Sequence, residues 1–205
     1  MKKTPFYPWH LAHGAGMTTF HDWRIPLWYK STLEEHRTVR SAAGLFDVSH
    51  IGHLAIRGLH APATVDFLTT NCASHLTTNQ GQYSLLCNPS GGILDDLVVY
   101  RIGFEEFLFC VNAMNRRKDY LWIQEQFNGK AEVADISSSE IQLALQDPHA
   151  EEICNDSHRK IWLNFLTIPA LGVRLQELTP LPPARVTQEK TASSCTYPRN
   201  TRNNF

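Results

Sequence analysis

The chain has 205 residues, of which 42% are hydrophobic and 19% charged, and its formal net charge at pH 7 is −1. This length predicts one large domain or two small ones, with enough apolar residues to bury a core. The near-neutral charge excludes a global basic field that would draw the chain to nucleic acid or to anionic membranes, so we expect a small molecule or a protein as its partner.

The cysteines indicate a reducing compartment. They are odd in number and show no CxxC spacing, which argues against a disulfide scaffold and a structural zinc site; they are Cys72, Cys87, Cys110, Cys154 and Cys195. We expect reduced thiols in a protein core. No apolar leader pattern precedes the first aromatic residues, and no apolar run reaches the ~18 residues of a membrane span. These patterns predict a cytoplasmic protein without a membrane partner.

The first half of the chain predicts helices and strands in alternation. Residues 5–15 indicate a short helix that turns into a loop. Ser31 and Glu34 have the spacing of a capping box and Gly44 is a stop signal, which predicts a helix over residues 31–43. The apolar patterns then predict a strand over residues 45–56 and a second helix over residues 62–70.

The middle of the chain contains the clearest structural signal. Asn88 to Gly92 form a turn sequence between two predicted strands, at residues 82–87 and 93–102. A third strand is predicted over residues 107–111, a helix over 113–127, and further strands over 131–136 and 141–145. A hairpin followed by a strand, a helix and more strands predicts an α+β fold with a mostly antiparallel sheet.

The composition changes near Pro169. Beyond it the chain is rich in proline and then in small polar and basic residues, without apolar periodicity. Such a stretch buries too little surface to offset its ordering entropy. We therefore predict a domain over residues 1–170 and a disordered tail over residues 171–205.

Two adjacent carboxylates, Asp95 and Asp96, lie in the predicted strand 93–102. Side chains alternate between the faces of a strand, so the two must face opposite sides. Both faces are otherwise apolar, which predicts that the strand is covered on both sides and that each carboxylate needs a partner. The alternatives are a functional site, or a structural role in which the two carboxylates cap turns or pair with Arg101 or Arg116.

Other polar residues carry weaker signals. His50 and His53 are three apart on a strand-like stretch and face opposite sides, so we expect no metal site there. Asn112 precedes a helix and has a helix N-cap as its structural alternative. Tyr83 and Tyr100 either line a pocket or fill the core.

Six stretches together resemble the T-protein (aminomethyltransferase) family of the glycine cleavage system. In order and spacing they lie at residues 4–14, 45–50, 88–100, 111–112, 118–119 and 143–146, with Gly-Gly-Ile-Leu-Asp-Asp at 91–96. The resemblance runs from about residue 4 to about residue 155. It implies a folate-binding aminomethyltransferase domain with flanking helices and ferredoxin-like elements.

The resemblance also implies a reaction and its partners. Family members transfer an aminomethyl group from the lipoyl arm of the H-protein to tetrahydrofolate, releasing ammonia and leaving 5,10-methylenetetrahydrofolate. By resemblance Asp96 is the key carboxylate, which suits the offsetting of positive charge as an iminium forms. Tyr83, Tyr100, Asn112 and Ile51 match family positions near the folate, and no metal is implied.

The chain also departs from the family pattern. His21 and Asp22 stand where the family usually has two glycines before its first tryptophan. Asp147 replaces a glycine, which predicts a strained turn, and Ile51 replaces a usual methionine.

The tail departs further, since the family continues with an Arg-Thr-Gly-Tyr-Thr-Gly-Glu segment that is not visible here. If each codon from residue 185 to residue 198 is begun at the third base of the one written, the possible codons permit Gly-Tyr-Thr-Gly-Glu-Asp-Gly-Phe-Glu-Leu-Tyr-Val-Pro. We therefore hypothesise a reading-frame shift between about Pro169 and Ala184. This predicts impaired transfer. The alternatives are a non-catalytic folate-binding module of the same superfamily and an inactive fragment.

Overall fold

Strands and helices alternate along the part of the chain that the structure describes, which comprises residues 1–127, 129, 131–150, 152–153 and 166–169. In this computed structural model the elements are β1 (Lys2–Lys3), α1 (Tyr7–Ala12), β2 (Gly16–Phe20), β3 (Trp23–Trp28), α2 (Thr32–Ser41), β4 (Gly44–Asp47), β5 (Gly52–Arg57), α3 (Ala61–Leu68), a 3-10 turn (Ala73–His75), β6 (Gly81–Cys87), β7 (Ile93–Gly103), β8 (Glu106–Val111), α4 (Arg116–Phe127), β9 (Glu132–Asp135), β10 (Glu140–Gln146) and β11 (Leu166–Pro169).

The largest sheet has five strands in the order β6-β7-β8-β5-β9, and all its pairings are antiparallel. Its central hairpin forms because the Oδ1 atom of Asn88 accepts hydrogen bonds from the backbone N–H groups of Ser90 and Gly92, at 3.0 and 2.8 Å. Gly91 adopts a φ of 81° in the same turn, a conformation that glycine reaches without steric cost. The predicted turn and its two strands are confirmed.

One face of this sheet carries the hydrophobic core. Leu97 and Val99 of β7 and Phe109 of β8 pack against apolar side chains of α3 and α4, and all three are at most 2% exposed. Burial of each such side chain stabilises the fold by about 1.5–3 kcal/mol. The helices therefore cover a single face, and the alternate residues of each strand point to the opposite face.

Two smaller sheets accompany the large one. The N-terminal sheet has the order β1-β3-β2, and the other has the order β11-β10-β4. The buried imidazole of His10 on α1 joins them, since its Nδ1 lies 2.6 Å from the Oη of Tyr29 and its Nε2 lies 2.9 Å from the Oδ2 of Asp47. This bond pair fixes the N-terminal helix to the end of β4.

The α+β class with a mostly antiparallel sheet is confirmed, but the stretch predicted as one strand over 45–56 is two strands in different sheets. The predicted cap of α2 is confirmed at Ser31, whose Oγ accepts from the backbone N–H of Glu34 at 3.5 Å. The reciprocal carboxylate belongs to Glu35 and not to Glu34, since its Oε1 accepts from the backbone N–H of Ser31 at 3.2 Å and from those of the two residues before it at 2.8 Å. Strands β2 and β3 were not predicted. The proposed boundary at residue 170 and the tail lie outside the described residues.

None of the helices in the described part of the chain is both long and apolar enough to cross a membrane.

Candidate functional site

The face of the large sheet that the helices leave uncovered carries the predicted site residues. On β7, Asp96, Val98 and Tyr100 alternate onto this face, opposite to the core residues Leu97 and Val99. The hairpin register sets Tyr83 of β6 directly across from Val98. Because directly paired residues share a face, Tyr83, Asp96 and Tyr100 lie together on what we call the open face.

Asp96 is exposed and is held by two hydrogen-bond donors. The Oη of Tyr83 donates to its Oδ2 at 3.2 Å, and the Nδ2 of Asn112 donates to its Oδ1 at 3.0 Å. The prediction that β7 is covered on both faces is therefore wrong at this position. An exposed carboxylate with oriented neighbours can accept further hydrogen bonds from a ligand.

Asp95 points to the opposite face and is 4% exposed. It accepts hydrogen bonds from the backbone N–H of Asn112 at 3.1 Å, from the Nδ2 of Asn112 at 2.9 Å and from the Nδ2 of Asn115 at 2.6 Å. Burial alone would raise its pKa, but these bonds and one from Asp119 hold the pKa below its usual range. Asp95 is thus a buried, charged acceptor.

The predicted arginine partners of the two aspartates are wrong. Arg101 donates to four backbone carbonyl oxygens in neighbouring loops. Arg116 pairs with Asp135 of β9, with 2.7 Å between its Nε and the carboxylate. The amides of Asn112 and Asn115 take the place that sequence analysis assigned to a guanidinium.

Asn112 is the residue that joins the two aspartates. Its Nδ2 reaches Asp95 and Asp96 together, and its backbone carbonyl accepts from the N–H groups of Asn115 and Arg116 at the start of α4. The side chain of Asn112 therefore binds the two carboxylates, and its backbone carbonyl oxygen accepts the hydrogen bonds of the turn that leads into α4.

The two tyrosines differ in their surroundings. Tyr83 is 58% exposed, whereas Tyr100 is 4% exposed and its pKa is raised by burial. An added Cβ on Gly81 would lie 2.5 Å from the Tyr100 ring, so the ring lies against the glycine backbone. Tyr83 offers an accessible aromatic face, and Tyr100 forms part of the floor beside it.

Ile51 lies in the turn that leads into β5, where its backbone N–H donates to the carbonyl of Val48 at 3.0 Å. The next residue, Gly52, pairs with Val111 of β8, and Val111 pairs with Leu97 of β7. Ile51, Asn112 and Asp96 each lie one residue outside this row of pairs. These three predicted residues therefore converge on one end of the sheet, whereas Tyr83 and Tyr100 lie two and four residues further along the register of β7.

His50 and His53, where no metal site was expected from the sequence, contact different residues. His53 is 1% exposed and its Nε2 lies 2.9 Å from the Oε1 of Gln142, while His50 contacts the ring of Phe20. In the described ranges, no group of three or more histidine, cysteine, aspartate or glutamate side chains is arranged to hold a metal ion.

A cleft of about 1040 Å³ lies elsewhere on the molecule, between the N-terminal sheet and α4. Its lining includes Lys2, Asp22, Arg116 and Leu121 and none of the predicted site residues. Four of its charged residues already form two ion pairs, Lys2 with Asp22 and Arg116 with Asp135. The cleft therefore does not coincide with the open face.

Comparison with known proteins places this chain in a family. The family model described as the GCVT N-terminal domain matches residues 6–186. The chain belongs to the GCVT N-terminal domain family. The resemblance predicted from the sequence motifs is thereby confirmed.

The relatives of this GCVT chain are aminomethyltransferases. It is 50% identical over 154 residues to the aminomethyltransferase of Moorella thermoacetica, covering 75% of this chain and 42% of the relative. The aminomethyltransferase of Chlorobium luteolum is 43% identical over 175 residues, covering 84% and 46%. The chain therefore spans less than half the length of these curated relatives.

A solved structure agrees with the fold. The glycine cleavage system aminomethyltransferase T from Bartonella henselae superimposes with a TM-score of 0.73 at 32% identity, covering 80% of this chain and 46% of that one.

Sequence analysis missed one part of the site. Asn115, in the turn before α4, and Asp119 of α4 complete the surroundings of Asp95, and the Nζ of Lys118 donates to the carbonyl of Leu94 at 2.6 Å. The Lys118-Asp119 pair was the sequence signal for this network, because side chains one helical turn apart share the face that packs on the sheet.

Proposed function

We propose that this chain forms the folate-binding part of an aminomethyltransferase of the glycine cleavage T-protein type. The single observation that carries the proposal is the exposed Asp96 carboxylate, fixed by Tyr83 and Asn112 on the open face. The similarity to aminomethyltransferases at 43–50% identity supports the reaction class.

The open face fits a reduced pterin. A pterin presents N–H donors along its edge and a flat ring, and the face offers a carboxylate acceptor next to the 58% exposed ring of Tyr83. Tetrahydrofolate, when bound, supplies the nitrogen atoms that receive the one-carbon group. Asp96 accepts hydrogen bonds from those N–H groups and offsets the positive charge that develops during transfer.

The neighbouring residues orient this carboxylate and shape the face. Tyr83 and Asn112 each donate one hydrogen bond to Asp96, so the carboxylate does not have to reorganise during the reaction. Tyr100 lies on the same face, four residues along β7 from Asp96, and packs as a buried ring beneath it, while Ile51 precedes β5 at the strand end near Asp96. In this proposal the lipoylated H-protein delivers the aminomethyl group in the cytoplasm.

The exposure of Asp96 also sets the expected rate. Electrostatic stabilisation weakens where water reaches the charged groups, because the local dielectric constant rises. We therefore expect the 205-residue chain to transfer the aminomethyl group far more slowly than its longer relatives. Turnover equal to that of a full-length relative would contradict this expectation.

The experiment is a calorimetric titration of 5-formyltetrahydrofolate into the 205-residue chain and into Asp96→Asn. We expect binding by the wild-type chain and affinity about tenfold lower for the variant, which corresponds to about one charge-assisted hydrogen bond. Glu125→Gln removes an exposed carboxylate of α4 and serves as the matched control. Absence of binding to the wild-type chain would refute the proposal for this chain.

A second measurement separates the possible functions. Incubation with tetrahydrofolate and aminomethyl-loaded H-protein should release ammonia if the chain is an enzyme. Folate binding without ammonia release would identify a non-catalytic folate-binding module instead. Absence of both would identify an inactive fragment.

A further inference from the structure

Two buried carboxylates, Asp95 of β7 and Asp119 of α4, are neighbours on the core side of the large sheet, where each shifts the pKa of the other. Asp119 is 0% exposed, and within the described residues neither of its carboxylate oxygens meets an N–H or O–H donor. Asp95, in contrast, accepts from the amides of Asn112 and Asn115. One member of the pair is therefore saturated with donors and the other has none.

Two carboxylates in contact cannot both be ionised, because like charges at this distance repel strongly in a buried site. The proton belongs on the member without donors, since its charged form has nothing to stabilise it. With that proton, Asp119 becomes a hydrogen-bond donor to Asp95. This arrangement satisfies both groups.

We propose that Asp119 is a positioning residue whose protonated carboxyl donates to Asp95 and thereby fixes the Asn112 amide that holds Asp96. The inference extends the proposed function, on which its role in folate binding rests. The path runs from α4 through β7 to the open face over two hydrogen bonds of the Asn112 Nδ2, at 2.9 Å to Asp95 and 3.0 Å to Asp96.

The surroundings of Asp119 favour the neutral acid. Burial, followed by the hydrogen bond and the charge of the neighbouring Asp95, raises the pKa of Asp119 to about 8. The charge of Lys118 acts against this shift, and its ammonium donates to the Leu94 carbonyl and to the Oδ1 of Asn115.

Several other titratable groups on α4 and on the elements packed against it have partners other than Asp119. On α3, Asp66 accepts from Ser74. The ion pairs are Arg57 of β5 with Glu106, and Arg116 of α4 with Asp135 of β9. Those that remain are His53 on the other face of β5, Arg117, Tyr120 and Glu125 on α4, and Glu132 of β9.

Deprotonation should loosen the site as the pH rises. Below the pKa of Asp119 the pair shares one negative charge, and above it two anions repel each other inside the sheet. We therefore expect the hold of Asn112 on Asp96 to weaken between about pH 7 and 9, a range centred on the value of about 8 for Asp119.

Infrared spectroscopy of the 205-residue chain at pH 6.5 tests the proton directly. The carbonyl band of a protonated carboxylic acid should be present in the wild-type chain and lost in Asp119→Asn. Asp119→Asn keeps a neutral donor, so folding should survive. The same band in both proteins would overturn the assignment of the proton.

Side-chain amide NMR tests the positioning without any ligand. The Nδ2 resonance of Asn112 should titrate with a midpoint near pH 8 in the wild-type chain, following Asp119, and should stay constant in Asp119→Asn. An identical titration in both proteins would overturn the link between Asp119 and Asn112.

Titration of 5-formyltetrahydrofolate at pH 7 tests the consequence for binding. Asp119→Leu, which has no donor, should bind about tenfold more weakly than the wild-type chain, the factor for about one charge-assisted hydrogen bond. Asp119→Asn should restore most of that affinity, with Glu125→Gln as the control. Equal affinity of the Leu and Asn variants would refute the inference. Loss of binding in the wild-type chain itself would refute the proposed function, while the two spectroscopic tests would still decide the inference.

Discussion

The turn between β2 and β3 stores backbone strain that a single substitution should release. His21 has a φ of 51°, in the left-handed region that costs a side-chain-bearing residue roughly 1–2 kcal/mol. Replacement by glycine removes that cost, but the greater chain entropy of glycine in the unfolded state lowers the free energy of unfolding by about 0.4–1 kcal/mol. The side chain of His21 is exposed and contacts the Phe20 ring at a centroid distance of 4.5 Å, so its removal costs a further few tenths.

We therefore expect His21→Gly to equal or exceed the wild-type chain in stability, and to exceed His21→Ala by about 1 kcal/mol. The alanine variant also loses the imidazole ring but keeps the strained backbone. The difference in the free energy of unfolding between the two variants therefore measures the cost of the positive φ. Urea unfolding followed by circular dichroism would measure it, and 1 kcal/mol corresponds to about 2–4 °C in melting temperature for a domain of this size.

Thr19 on the neighbouring strand β2 provides the matched control, since it is exposed and lies in extended backbone. There the order should reverse, with the glycine variant less stable than the alanine variant by about 0.5–1 kcal/mol. A His21→Ala variant as stable as His21→Gly, with the expected order at Thr19, would refute the strain argument.

Three further predictions follow from single contacts. Gly81→Ala should destabilise the chain by about 1–3 kcal/mol in urea unfolding and weaken folate binding, because its Cβ would lie 2.5 Å from the Tyr100 ring. Arg101→Lys should cost about 2 kcal/mol in the same assay, since an ammonium cannot reach the four carbonyl oxygens that the guanidinium now binds. Asp47→Asn should make the melting temperature depend less on pH in the acid range. Burial alone would raise the pKa of Asp47, but hydrogen bonds, led by that from His10, hold the pKa below its usual value of 3.8. The ionised carboxylate therefore stabilises the fold above that value, and this stabilisation is lost as the pH falls through the lowered pKa. A wild-type chain that keeps its melting temperature below pH 3 would contradict the last of these.

The sequence predicted most of the large sheet because its signals are local. The Asn88–Gly92 turn and the alternating pattern of β7 specify the hairpin without reference to any other part of the chain. The departures from the family pattern were also informative, since Asp147, where the family has a glycine, has a φ of 75°. Its Oδ1 lies 2.8 Å from the Nη1 of Arg40, an exposed contact that offsets little of the strain.

What escaped prediction depends on contacts between distant segments. The N-terminal strands are short, and Pro26 within β3 is an unfavourable strand signal. The amide partners of Asp95 come from the turn between β8 and α4, more than fifteen residues further along the chain. Charge complementarity favoured the arginines as partners, whereas the fold turns them toward carbonyl oxygens and toward Asp135.

Strand alternation explains why two identical neighbouring residues acquire opposite chemistry. Asp95 faces the helices, where donors and a buried acid surround it, and Asp96 faces outward, where a ligand can reach it. Asn112 lies just beyond the end of β8, so its amide can pass around the strand end and contact both carboxylates. In the proposed arrangement, the same amide that orients the outward carboxylate also responds to the protonation of Asp119, because it contacts Asp95 and Asp96 together.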